Sequence, residues 1–460
     1  MTTAPIMRAS TDSVGEQLDR LPVGAVHRKV VVAVGLGLFF EMYEIFLSST
    51  LSATLSHDFG VRGTALKLVL ASSFIGMFFG AAFFGRLADR IGRRKAFLLG
   101  LSWFSVFSLA GAFAPSPALL VLARFLAGVG IGAVYPVADS YLADVLPRDH
   151  RGRMASYAYT CSFLAVPFAG FLAWWLTRHS PLGIAGWRWL LALGGSGAVI
   201  VFVLNRWLPE SPRWLASAGR LEEAQRALNT FAAGSNVLAA QIDTRLDATR
   251  GSAARPAPSA LTQLRRAPYN RRVVMLAVFH LFQTYGYYGF GTLAALVLVS
   301  RGYDVTSSML FSALSFLGYP LGSLMAIPLM ARFERKFLLS GSIVAVAGFG
   351  LLFATQSSVA SIIVFGFLTT ATSNVFSNVY HVYQAEIFPT TVRATAVGWT
   401  YSLSRLSSGA APFVLIPILD GYGAGAMFTV VATALAVVIA AVLALGPRTS
   451  RRSLEEINPV

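Results

Sequence analysis

Long apolar runs broken by short polar connections dominate the chain, and their lengths predict twelve membrane-spanning helices. The runs fall at about residues 30–56, 66–85, 96–114, 117–142, 154–177 and 187–208, and again at about 272–299, 307–330, 337–355, 359–384, 394–418 and 423–446. Each is near the ~20 residues that a bilayer requires. Between the two sets, residues 209–270 are rich in Arg, Ala, Glu and Gln. The stretch from Leu221 to Phe231 repeats apolar positions at helical spacing beside charges, which predicts short amphipathic helices in a linker. Gly251 to Ser259, with Ser, Ala, Arg and two prolines, reads as its flexible part. Residues 1–29 are polar and lack the apolar core and small-residue cleavage site of a signal peptide. The expected layout is a tail (1–29), a six-helix bundle (30–208), the linker (209–270), a second six-helix bundle (271–446) and a basic tail (447–460). The fold class is all-α integral membrane.

The two sets of runs are copies. Ala143-Asp144-Val145-Leu146-Pro147, followed by Arg151, returns 242 residues later as Ala385-Glu386-Ile387-Phe388-Pro389, followed by Arg393. In each copy an apolar run ends in an acid and a helix-stopping proline, and a basic residue opens the next run. An acid and an arginine split by a proline suit a tight polar turn at a membrane face. Repetition at equivalent places in two halves predicts pseudo-symmetric bundles, the plan of many transporters.

Composition agrees: 55% of the 460 residues are hydrophobic and 13% charged, more apolar surface than one soluble core needs. The net charge of +16 would suggest nucleic acid in a soluble protein. Its distribution argues otherwise, since of 37 Lys and Arg about 30 fall on the side holding both termini, about five on the other and about two inside spans. That bias marks the termini side as cytoplasmic. The single cysteine, Cys161, lies in an apolar run, which excludes an intramolecular disulfide and suits packing.

Gly85-Arg86-Leu87-Ala88-Asp89-Arg90-Ile91-Gly92-Arg93-Arg94-Lys95, between the second and third runs, resembles the signature of the major facilitator superfamily. Gly85, Asp89, Gly92, Arg93 and Arg94 fit it position for position. The resemblance implies that Asp89 and its arginine neighbours latch the two halves when the cytoplasmic side is closed. The second-half equivalent, Arg332-Phe333-Glu334-Arg335-Lys336, keeps an acid among bases without the glycines. Arg124 to Gly132 resembles the family's arginine and glycine-spaced motif in the fourth span, in which small residues let helices approach. Pro209-Glu210-Ser211-Pro212-Arg213-Trp214-Leu215 and Ala385 to Arg393 resemble the sugar-porter signatures, which carriers of organic acids and organic ions share. Two departures stand out: Gln283-Thr284-Tyr285-Gly286-Tyr287-Tyr288-Gly289 replaces the sugar carriers' glutamine pair and Gly-Ile-Asn, and the first span carries Glu41 and Glu44 rather than one aspartate. A sugar is therefore not the first expectation.

Charges inside spans are the candidates for chemistry, because each costs at least ~2.5 kcal/mol in the bilayer. Glu41, Glu44, Arg124, His280 and Arg405 qualify. Counting at ~1.5 Å per residue puts Glu41, Arg124 and Arg405 roughly 18 Å from the cytoplasmic edge and Glu44 roughly 22 Å. Glu41 and Glu44 share a helix face, and two carboxylates close together in low dielectric favour holding a proton on one of them. Either could instead be the structural partner of Arg124. His280 reads as a satisfied polar residue or a proton relay. His381, Gln384 and Glu386, toward the cytoplasmic end of the tenth span, read as gate or turn residues.

Arg405 lies seven residues before Pro412 in the eleventh span. Organic-ion carriers that this region resembles have an acid there for cations and an arginine for anions; the bland alternative is an arginine capping carbonyls near the proline. These readings predict a transporter, not an enzyme: a secondary active carrier working by alternating access, symporting protons with a small organic anion. The expected proton-coupling residues are Glu41, Glu44 and Arg124. Substrate binding is expected at Arg405, Gln283, Tyr287, Tyr288, Asn374 and Asn378, and gating at Gly85, Asp89, Arg93, Arg94, Asp144, Arg151, Glu386 and Arg393. No metal-ligand cluster, nucleophile and base pair or phosphate loop appears, so no cofactor or metal is expected. Partners are a small-molecule substrate, protons and membrane lipid, with no nucleic acid, and the protein is expected to be a monomer in the plasma membrane, the inner membrane in a bacterium. A sugar carrier is the second reading and a drug and proton antiporter the third.

Overall fold

The computed structural model describes residues 13–58, 64–179, 181–197, 208–235, 260–300 and 314–458, with isolated positions between them. The flexible piece expected at 251–259 lies outside the described residues. Described strands are absent and the chain is built from helices. The first four spans are Ala25–Asp58, Thr64–Ile91, Arg93–Ala112 and Pro117–Val145. The fifth is divided into Arg151–Phe163 and Ala165–His179, and the sixth opens with Gly186–Gly195. The seventh is Tyr269–Ser300, followed by Gly318–Arg332 in the eighth, Arg335–Thr355 in the ninth and Val359–Glu386 in the tenth. Arg393–Leu445 carries the eleventh and twelfth spans, parted at Gly423, whose φ of 82° is open to glycine and strained for other residues. Eight described helices are long and apolar enough to cross a membrane by length and composition, and the whole forms two six-helix bundles.

Backbone approach sets the spacing inside the first bundle. The second and fourth spans cross so closely that a methyl on Gly80 would strike the Val129 carbonyl and one on Gly132 the Met77 carbonyl. Gly132 and Gly128 lie one turn apart and face the second span, whereas Gly130, half a turn round, faces Phe104 and Gly100 of the third. The glycine spacing of the sequence thus serves two neighbours at once. Between the bundles, the second span meets the eleventh, where Gly85 packs on the Ala394 carbonyl and Gly398 on the Ala81 carbonyl.

Helix ends follow local rules. The fourth span starts with Ser116 accepting from the Leu119 N–H at 3.4 Å, with Pro117 at its first position. It stops two residues before Pro147, as the tenth stops three before Pro389. On the face carrying both ends of the chain lie short helices at Val14–Arg20 and Leu454–Ile457, each opened by a serine and glutamate capping box. The linker helix Leu221–Ala233 buries Ala224, Leu228, Phe231 and Ala232 and turns its charges outward.

Candidate functional site

The repeat builds a charge layer on the termini face. Asp144, at the end of the fourth span, receives Arg93 at 3.0 Å and Arg393. Glu386, at the end of the tenth, receives Arg335 at 3.0 Å and Arg151 at 3.5 Å. Adding 242 to Asp144, Arg93 and Arg151 gives Glu386, Arg335 and Arg393, so the layer is one acid and two arginines, written twice. In each copy one arginine comes from the acid's own bundle and the other from the opposite bundle. All six side chains are buried. Removing one partner of such a pair strands a buried charge at a cost of about 3–5 kcal/mol.

Asp89 closes the same face by capping. The residue before the eleventh span is Val392, which has no side-chain acceptor, so the first N–H groups of that helix need a partner from elsewhere. Asp89 of the opposite bundle accepts from the Ala394 N–H at 3.3 Å, the Thr395 N–H at 2.7 Å and the Thr395 hydroxyl at 2.6 Å. It also holds Arg93 at 2.6 Å, while Arg93 donates to the Thr390 carbonyl across the interface at 2.6 Å. Glu210 caps the third span similarly, accepting from the backbones of Arg93 at 2.9 Å and Arg94 at 3.1 Å. Arg213 ties the Asp144 carbonyl, the Gly15 carbonyl, Asp19 and Glu455 together. The face is sealed in this structure.

Midway through the spans the two bundles enclose a narrow cavity of about 10 Å³, near the room that one water molecule needs. Met42 and Phe163 line it from the first bundle; Gln283, Tyr287, Ser377, Tyr380, His381, Tyr401, Ser404 and Arg405 line it from the second. Arg405 donates to the Tyr401 hydroxyl at 2.6 Å and lies 3.7 Å from Glu41 across the bundle boundary. Among the described residues neither Glu41 carboxylate oxygen accepts a hydrogen bond, and the side chain is fully buried.

Glu44 has a different environment. It pairs with Arg124 at 2.6 Å and accepts from the Ser108 hydroxyl, and Arg124 also reaches the Glu44 carbonyl at 3.3 Å. The two glutamates share a helix but not their partners. Asn374 and Asn378 do not line the cavity. Asn374 donates to the Tyr319 carbonyl, and Asn378 accepts from Ser323 at 3.1 Å, so both amides turn toward the eighth span. The Tyr288 side chain lies outside the described residues, and Tyr285 is half-buried at the core's edge.

Sequence reading picked out His280, His381 and Gln384 but missed Asp139 and Tyr159, which join them in a buried cluster between the cavity and the sealed face. Asp139 accepts from the Tyr159 hydroxyl at 2.8 Å, the Gln384 amide at 2.7 Å and His381 Nδ1 at 2.6 Å. Gln384 pairs in turn with His280 at 3.0 Å. Asp139 stands three residues inside the end assigned to the fourth run, close enough to Asp144 to pass for part of the turn. Its signal was the offset, because Asp139 and His381 are themselves 242 residues apart. Among the described residues no group of His, Cys, Asp and Glu could hold a metal ion.

A family model described as "Sugar (and other) transporter" matches residues 29–460. The chain is 31% identical over 403 residues to YyaJ of Bacillus subtilis (strain 168), covering 85% of this chain and 86% of that protein. It is 29% identical over 447 residues to the niacin transporter NiaP of Acinetobacter baylyi (strain ATCC 33305 / BD413 / ADP1), covering 96% and 99%. In fold it is similar to the MFS proton:xylose symporter XylE bound to 6-bromo-6-deoxy-D-glucose, with a TM-score of 0.78 at 21% identity over 94% of this chain and 98% of that one.

Proposed function

The chain belongs to the sugar (and other) transporter family of the major facilitator superfamily, which makes it a multi-pass membrane transporter of metabolites and not an enzyme, and we propose that its cargo is a small organic carboxylate carried together with a proton. The observation that carries the reading is the Glu41–Arg405 pair. A guanidinium inside a membrane protein keeps its charge, and Glu41 is its nearest described carboxylate at 3.7 Å, too far for a hydrogen bond. A substrate carboxylate can take the fork of Arg405 with two parallel hydrogen bonds. Glu41 then loses its counter-ion, and protonation removes the charge that would be stranded. One cation serving two carboxylates in turn links one anion to one proton.

Chemistry around Arg405 supports an aromatic or apolar body on the acid. Tyr287, Tyr380 and Tyr401 line the same cavity and offer ring faces and edges. NiaP, a transporter of niacin, is a relative whose cargo has this chemistry, a carboxylate on an aromatic ring. Glu44 and Arg124, saturated by each other and Ser108, hold the first span against the third and fourth and tune the position of Glu41. The residues of the sealed face form the gate, and the Lys and Arg bias reads that face as cytoplasmic, in the inner membrane of a bacterium.

The test is thermal stabilisation of detergent-purified protein by aromatic and aliphatic monocarboxylates, hexoses and organic cations, since a ligand of the folded state raises its stability. Stabilisation by a carboxylate that disappears in Arg405→Ala supports the reading. Stabilisation by a hexose alone, unchanged in Arg405→Ala, replaces it with a sugar carrier.

A further inference from the structure

Asp139 and His381 occupy the same position in the two repeats, 242 residues apart, and they touch. Few equivalent residues of a duplicated protein can do so, because contact requires both to lie at the axis that relates the halves. At 2.6 Å the pair is an inter-bundle bond on the termini side of the cavity, five residues from the Asp144 and Glu386 layer on each helix, or about 7.5 Å along it. Both side chains are buried.

The surroundings fix which charges are present. Asp139 receives three donors, from Tyr159, Gln384 and His381, an arrangement that satisfies an ionised carboxylate. A buried carboxylate also needs a compensating charge, and the imidazole is the group in contact able to supply it. His381 is stacked against Tyr135 with ring centres 4.5 Å apart and against Tyr380 at 4.1 Å, faces that suit an imidazolium. The other titratable groups around the pair are His280, which is joined through Gln384, Tyr401 at 6.0 Å from the imidazole, and Glu41 with Arg405 beyond them. Those last two already face each other.

We propose that Asp139 and His381 form a second proton-binding site of the transport cycle, filled while the termini face is sealed and emptied when it opens. Opening parts the fourth and tenth spans, so the imidazolium leaves its carboxylate and gives its proton to the water that enters from the termini side. Asp139 stays ionised and is hydrated by the same water. Resealing takes one proton back. The role of this proton in flux rests on the proposed symport, but the site itself does not.

Hydrogen exchange of residues 390–400, where Asp89 holds the first amides of the eleventh span, reads the fraction of protein with that face open. After correction for intrinsic exchange, protection in the parent should fall as pH rises from 5.5 to 8.5, by up to about tenfold per pH unit, the limit for one linked proton. The double variant D139N/H381Q keeps a neutral hydrogen-bonded pair and should show a flat profile; the same slope as the parent would overturn the proposal. If that variant does not purify as monodisperse protein, His381→Lys supplies a permanent cation. It should hold protection high across the range, and a parent-like slope there sinks the idea equally. Glu41→Gln separates the two readings. If it accumulates substrate uphill as the parent does while its exchange profile stays pH-dependent, the role given to Glu41 fails and this site stands.

Discussion

The two bundles descend from one pattern but now supply different things. The second bundle provides eight of the ten side chains lining the cavity, including Arg405 and the imidazole of His381. The first provides the buried acids Glu41, Glu44 and Asp139. Acid lies on one side of the bundle boundary and base on the other, at Glu41 with Arg405 and at Asp139 with His381. On the termini face, by contrast, the copies stayed alike, each with one acid and two arginines. Duplication kept the closing layer alike in the two halves and let the charged groups at the cavity diverge.

The sharpest way to break this division is at Arg405. Truncating one partner of a buried charge pair costs about 2–5 kcal/mol, so Arg405→Ala should weaken carboxylate binding by about thirtyfold or more in a thermal-shift titration. Arg405→Lys, which keeps the charge and loses the fork, should weaken it by a smaller factor. Unchanged affinity in both would move recognition out of the second bundle. Next in size is Glu41→Gln, for which uphill accumulation in proteoliposomes should vanish while substrate exchange persists; Glu44→Gln should instead lower stability, because it strands Arg124.

Packing gives a smaller effect, and one the two bundles share. Gly80→Ala pushes a methyl into the Val129 carbonyl and should cost about 1–3 kcal/mol, seen as a drop of several degrees in the detergent melting point. Gly322→Ala, 242 residues on in the second bundle, meets the Ala371 carbonyl and should cost as much, whereas Gly341→Ala meets nothing within 4 Å and should leave the melting point unchanged. An equal drop at Gly341 would show that the tight crossings do not set the cost. The smallest expected effect is at the gate: Asp89→Asn keeps an acceptor for the Thr395 N–H but drops the charge facing Arg93, and should modestly raise hydrogen exchange at the start of the eleventh span.

Much of this was legible in the sequence, and for identifiable reasons. Run lengths and prolines gave the helices, since the bilayer fixes the first and backbone chemistry the second. The repeat marked Asp144, Arg151, Glu386 and Arg393, which meet in one layer. Depth counting put Glu41 and Arg405 at one level, and they face each other. Depth says nothing about azimuth, however. Asn374 and Asn378 lie on the same helix as cavity-lining Ser377 and His381, yet their amides turn to Tyr319 and Ser323 of the eighth span. Asp139 escaped notice because an acid near a helix end is ordinarily solvated; only its partner in the other repeat shows that it is not.

The cap on the eleventh span has a consequence for how this protein senses its solvent. Three donors at that helix start bond Asp89 of the opposite bundle while the face is shut, and on opening both they and the carboxylate must be taken up by water. The equilibrium between shut and open is therefore also a hydration equilibrium. Osmolytes excluded from protein surfaces favour states that expose less of it, so raising their concentration on the termini side should hold the face shut. The carrier would then slow as water activity falls, with no change in its cargo.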